Sequence, residues 1–183
     1  VITAPPPLDL LYPLPRFFAA AQRPLPEVEP IEAGALPAAP YRLLAHAGDM
    51  TSKLEEFFGD DMLLRVVQRE HTPEHYRREV VLYGAKSKLP VEYGAIEIEL
   101  GAFPEPLRAE IVEAKLPLGG LLNRHKLRYR SEPRGFLRVS PCAWLRGLFE
   151  LPDATPTYGR SNTLLGPNGE VLARILEILR PVE

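Results

Sequence analysis

Two charged side chains occupy strand positions that would otherwise be core, and these are the residues whose chemistry matters first. Arg78 alternates with Val80 and Leu82 in the run 76–83, whose period of two reads as a strand, with Arg77, Glu79, Val81 and Tyr83 on its other face. Glu177 shares parity with Val171, Ala173, Ile175 and Leu179, and the opposite set, Leu172, Arg174, Leu176 and Ile178, is almost as apolar. Whichever face looks inward, Glu177 is at least partly buried. An unpartnered buried carboxylate costs roughly several kcal/mol, so it needs a cation, hydrogen-bond donors or a proton of its own. Arg78 poses the same problem with the opposite sign. One solution is a buried Arg78–Glu177 pair with no further task. The other is a dry pocket in which arginine meets an anionic ligand.

Other residues could serve the second solution. Arg160 and Asn162 share a face beside Leu164, and a second arginine aimed at the same interior would leave positive groups in excess of the carboxylate. Asp49-Met50-Thr51 stands at a helix start, where backbone N–H groups can receive a carboxylate, although Asp49 or Thr51 acting as the cap explains it equally well. Leu118-Gly119-Gly120 could bring backbone close to an anion, but it has neither the spacing nor the lysine of a nucleotide-binding loop. His75 and His125 read as surface residues, and four histidines without ligand spacing give no metal site.

The elements that must position these groups are legible from their signals. Ser52 and Glu55 form a capping-box pattern for a helix over 51–58 that ends at Gly59, and a strand follows over 62–70 with Leu64 and Val66 on one face. Residues 92–100 alternate as a half-buried strand, with Ile96, Ile98 and Leu100 inward and Glu97 and Glu99 outward. Pro104 opens an amphipathic helix over 104–114, and a short helical run over 121–125 follows the interruption at 117–120. Short strands are expected over 127–129 and 136–139, with a helix over 143–149 started by Ser140-Pro141. The end of the chain, 157–165 and 170–179 joined by Gly166-Pro167-Asn168-Gly169, is a β-hairpin that must join a larger sheet.

These elements predict an α+β fold of one domain over 44–183. Residues 1–43 hold many of the 21 prolines, Pro5-Pro6-Pro7 among them, and read as an extended arm packed on the body, with a helical turn over 17–21. Hydrophobic residues make up 45% and the formal net charge is -2, a balance that gives no support to a nucleic-acid-binding domain. A single cysteine rules out an internal disulfide, and with no long apolar run it suggests a cytoplasmic protein with no membrane partner.

In order along the chain, Asp49-Met50-Thr51, Tyr76-Arg77-Arg78-Glu79-Val80-Val81-Leu82, Pro117-Leu118-Gly119, Arg160-Ser161 and Leu176-Glu177-Ile178-Leu179-Arg180-Pro181 resemble the chorismate pyruvate-lyase (chorismate lyase) family. That resemblance implies a six-stranded antiparallel sheet flanked by helices that close over the ligand. It also implies conversion of chorismate to 4-hydroxybenzoate and pyruvate without metal or organic cofactor. The family's active-site arginine falls on Arg78 and its glutamate on Glu177. Ligand contacts fall on Met50 with Thr51, on Leu118 with Gly119, and Arg160 adds a second cation. A monomer or homodimer acting on a small-molecule substrate is expected. Two other readings stay open: a non-catalytic domain binding an aromatic acid effector, by analogy with effector-sensing domains of bacterial transcription regulators, and a lyase relative with a different aromatic product.

Overall fold

A computed structural model describes residues 7–182, so Pro5 and Pro6 of the proline-rich start lie outside the described residues. In chain order the elements are α1 (Pro7–Leu10), α2 (Leu14–Ala20), β1 (Glu27–Ile31), α3 (Ala38–Leu44), α4 (Met50–Phe58), β2 (Met62–His71), β3 (His75–Gly84), β4 (Pro90–Glu99), α5 (Glu105–Glu113), α6 (Leu118–Arg124), β5 (Arg130–Ser140), α7 (Ala143–Phe149), β6 (Thr157–Leu165) and β7 (Val171–Leu179). The strands form one antiparallel sheet in the order β1-β5-β6-β7-β4-β3-β2. The α+β class holds, and the terminal hairpin lies inside the sheet as β6 and β7.

The count of six strands is corrected to seven. The additional one is β1, from the proline-rich segment, and it pairs with β5 at the sheet edge. An edge is where a residue without an N–H, here Pro30, can sit in a strand. Proline also hid α3. Pro40 falls in its first turn, where the amide has no intrahelical acceptor in any case.

Both faces of the sheet are covered. On one, Leu10, Leu11, Leu14, Phe17 and Phe18 from α1, α2 and their junction, together with Leu145 and Phe149 of α7, meet Tyr93, Ala95, Leu137, Val139, Leu176 and Ile178. On the other, α5 and α6 pack at one end through Leu107, Ile111, Leu121 and Leu122 against Ile96, Ile98 and Ala173. At the opposite end α3 and α4 pack through Leu43, Leu44 and Leu54 against Leu82, Val91 and Leu179.

Double coverage corrects the half-buried reading of β4. Glu97 points away from Ile96 and Ile98 as alternation requires, yet it is only 3% exposed. Arg77 Nε holds it at 2.5 Å, Arg174 Nη1 at 3.1 Å, and the Tyr12 hydroxyl also donates to it. Glu79 on the same face accepts from Arg23 at 3.1 Å and from the Tyr93 hydroxyl at 2.5 Å. A buried carboxylate held by cations and hydroxyls in this way escapes the cost of burial without a partner.

Local boundaries differ in ways that bear on the site. Asp49, not Ser52, caps α4: its Oδ1 accepts from Ser52 N at 2.8 Å, while Glu55 accepts from Met62 N. The stretch read as an interruption starts α6 at Leu118 itself. Of the two short strands expected over 127–129 and 136–139, the second falls within a longer strand, β5, with a register shift between Pro133 and Gly135, and residues 127–129 are not strand. The cap of α7 is Cys142, with no side-chain cap bond, in place of Ser140.

If α2 is part of the core, Phe18→Ala will lower stability by about 3–5 kcal/mol in urea unfolding. Phe18 is fully buried and stacks edge-on against Trp144 at 5.5 Å between centroids. The same change at the exposed Leu25 will shift the midpoint little.

Candidate functional site

Strand alternation aims a defined set of side chains into the gap between the two helix pairs. β3 contributes Arg78, Val80 and Leu82; β4 contributes Glu92, Gly94 and Ile96; β7 contributes Ile175 and Glu177; β6 contributes Arg160, Asn162 and Leu164. Gly48-Asp49-Met50-Thr51 at the start of α4 and Pro117-Leu118-Gly119 at the start of α6 form the roof, with Tyr129 at its side. The cavity they enclose measures about 80 Å³. All seven residues expected from the sequence line it: Met50, Thr51, Arg78, Leu118, Gly119, Arg160 and Glu177.

Glu177 and Arg160 are directly opposed across β6 and β7. Arg160 Nε donates to Glu177 Oε2, and Nη2 reaches Oε1 at 3.5 Å. Arg160 Nη1 donates to the backbone oxygens of Leu44 at 2.9 Å and His46 at 3.0 Å. Arg160 is 1% exposed and Glu177 4%, so this is a buried pair tied to the end of α3 and the loop after it. The alternative of a buried Arg78–Glu177 pair is not realised. Arg78 lies opposite Ile96, and Glu177 lies opposite Gly94 on the far side of β4.

Arg78 has no counter-ion among the described residues. Its Nη2 donates to Leu116 O at 3.2 Å, while Nε and Nη1 have no hydrogen-bond partner among the described residues, at 2% exposure. Burial lowers its pKa, with the nearby Tyr76 phenol acting the other way. A guanidinium nonetheless stays protonated in proteins.

Glu92 is the site residue that the sequence reading did not select. It is 4% exposed and its Oε2 has no partner among the described residues. It sits opposite Leu179, so Glu177 is its diagonal neighbour on β7, at about 7–8 Å by sheet geometry. Burial first, then the Glu177 carboxylate, push its pKa well above that of an ordinary glutamate, and Arg160 only partly opposes them. The signal was available, because Glu92 shares parity with Ile96 and Ile98, the residues assigned inward on that strand. Tyr129, expected on a short strand, lies outside the strands and beside the pocket. Asn162 was put on the right face, and in the structure it exchanges hydrogen bonds with Ser131 at 2.8 and 3.1 Å.

The roof closes through a glycine. A Cβ on Gly119 would stand 2.9 Å from Asp49 Cβ, so only glycine lets α6 come this close to the α4 cap without displacement. Asn123 Nδ2 donates to Asp49 Oδ2 at 3.3 Å across the same junction. Gly94 does similar work in the floor, where a Cβ would lie 3.1 Å from Val80 Cγ2. On the opposite face, His75, Glu97 and Glu99 bring possible metal-donor atoms together. Arg174 already holds both carboxylates, at 3.1 and 2.7 Å, and His75 Nε2 lies 3.0 Å from Glu99.

No protein-family model and no curated protein sequence matches this chain. Solved structures do share its fold. The effector domain of PhnF from Mycobacterium smegmatis superposes with a TM-score of 0.55 at 12% identity, over 73% of this chain and 88% of that one. The longer PhnF structure gives 0.54, and this chain spans 64% of its length. Gene product SA0254 from Staphylococcus aureus gives 0.55 at 14% identity, over 75% and 92%. The chorismate lyase-like fold is thus shown at the level of architecture. The expectation of an enzyme, a chorismate lyase, is corrected: the fold is shared with an effector domain. No described helix is long and apolar enough to cross a membrane.

The two pocket arginines should respond oppositely to replacement by methionine. Arg160→Met strands Glu177 and will lower stability by about 3–5 kcal/mol. Arg78→Met removes a buried cation that no carboxylate offsets, and will leave the urea midpoint unchanged or raise it.

Proposed function

We propose that this chain is a non-catalytic sensing domain that binds a small carboxylate, of the aromatic-acid kind, in the cavity under α4 and α6. One observation carries the reading: Arg78 is buried, charged and has two nitrogens without hydrogen-bond partners among the described residues. Arg160 and Glu177 offset one another, so with Glu92 neutral the buried wall holds a net charge of about +1 from Arg78. A single carboxylate on Arg78 would complete that balance, through charge-assisted hydrogen bonds made in a site screened from water.

The remaining lining supports a compact apolar body. Val80, Leu82, Ile96, Leu164 and Ile175 form its walls, and Met50, Thr51, Leu118 and Gly119 its roof. The effector-domain fold of PhnF supports sensing over turnover. In this reading the described part of the 1–43 arm packs on the body, with α1 and α2 against the far face of the sheet and α3 beside α4, 44–183 carry the binding body, and the domain works in the cytoplasm. With a net charge of -2 the domain's own ligand is the small molecule, not a nucleic acid.

Titration calorimetry with benzoate tests this. One molecule per chain will bind, and Arg78→Gln will weaken binding about ten- to a hundredfold, as expected for losing a hydrogen-bonded charge. Equal binding by the variant overturns the reading, and so does release of pyruvate when the protein is incubated with chorismate.

A further inference from the structure

Among the described residues, Glu92 is the one buried acid of the pocket wall that no cation holds. Glu97 and Glu79, on the opposite face, are each gripped by arginine and tyrosine, and Glu177 by Arg160. Glu92 has none of these, although it is as deeply buried as Glu177. Its Oε1 lies over Gly94, 3.6 Å from where a Cβ would stand, so the carboxyl group reaches along the strand toward the middle of the cavity.

We infer that Glu92 is a specificity-determining hydrogen-bond donor, whose neutral carboxyl group meets an uncharged oxygen of the ligand whose carboxylate sits on Arg78. The inference rests on the reading of Arg78 as a carboxylate anchor and extends it to the ligand's other end. Arg78 stands opposite Ile96, and Glu92 lies four residues further along the same strand. That is about 13–14 Å of extended backbone, and both side chains reach into the interval. A ligand bearing a carboxylate at one end of a compact apolar body and an acceptor such as a carbonyl at the other fills that interval. Val80, Ile96 and Ile175 lie along it.

The charged and titratable surroundings agree with a neutral acid. From β7, Glu177 opposes a second negative charge; from β6, Arg160 is already engaged by Glu177 and two backbone oxygens. Arg78 lies on the same face on β3, and Asp49 adds negative charge at the roof. His46 is held toward its neutral form by burial and by Arg160, so it supplies no compensating cation. A raised pKa keeps the donor present at low pH, and it is lost as pH rises through that value. Ionisation then removes the hydrogen bond and places a second carboxylate in the site.

Calorimetry with 4-acetylbenzoate and 4-isopropylbenzoate, which match in shape but differ in the acceptor, tests the inference. At pH 6 the native protein will bind the acetyl compound about three- to tenfold more tightly, and the preference will disappear as pH is raised. Glu92→Gln, whose amide still donates but cannot ionise, will keep the preference at every pH. Glu92→Leu will bind both compounds alike. An equal preference in Glu92→Leu, or none in the native protein at pH 6 while 4-isopropylbenzoate still binds through Arg78, overturns the role of Glu92 and leaves the anchor intact. Failure of both compounds to bind overturns the anchor and this inference together.

Discussion

Arg160 is the interaction on which the site depends. Its guanidinium joins Glu177 on β7 to the backbone oxygens of Leu44 and His46, so one buried side chain fixes two central strands and the end of α3. The loop running from His46 into α4 is thereby anchored over the sheet, and Asp49 at its end caps α4 and meets α6. Desolvating both charges is costly, and the many bonds around them are what makes the arrangement tolerable. Because Arg160 satisfies Glu177, Arg78 is left as the pocket cation without a carboxylate partner among the described residues.

The two faces of the sheet treat charge differently. On the face covered by α2 and α7, buried glutamates are bound by arginines and phenols. On the pocket face, the Arg78 guanidinium, the Glu92 carboxyl and the Tyr76 hydroxyl keep buried atoms without hydrogen-bond partners among the described residues. Unsatisfied buried polar groups are rare in native proteins and each calls for a reason. Arg78 and Glu92 line one cavity, and in the proposed reading a ligand supplies their missing partners. The same logic separates fold from function, since the architecture is shared at 12–14% identity while these side chains are particular to the site.

Much of the site was legible because strand periodicity is a local property. Alternation lines Arg78 and Arg160 up with apolar neighbours, the apolar character of both faces of the last strand requires Glu177 to be at least partly buried, and the hairpin follows from its turn residues. Glu92 could have been found the same way. Glu97 and Glu99 give the strand an amphipathic pattern, although α2 and Tyr12 cover that second face. β1 and α3 were obscured by proline, which local rules treat as a breaker although an edge strand and a first helical turn both accept it.

What the sequence determined by itself is parity: which face of its strand each of Arg78, Arg160, Glu177 and Glu92 must occupy, since neighbouring side chains along a strand point to opposite sides. Which charge meets which was decided only by tertiary structure. The order of strands puts β4 between Arg78 and Glu177 and brings Arg160 directly opposite the glutamate. Pairing between distant segments is set by the register of the whole sheet, and no local pattern in either strand encodes it.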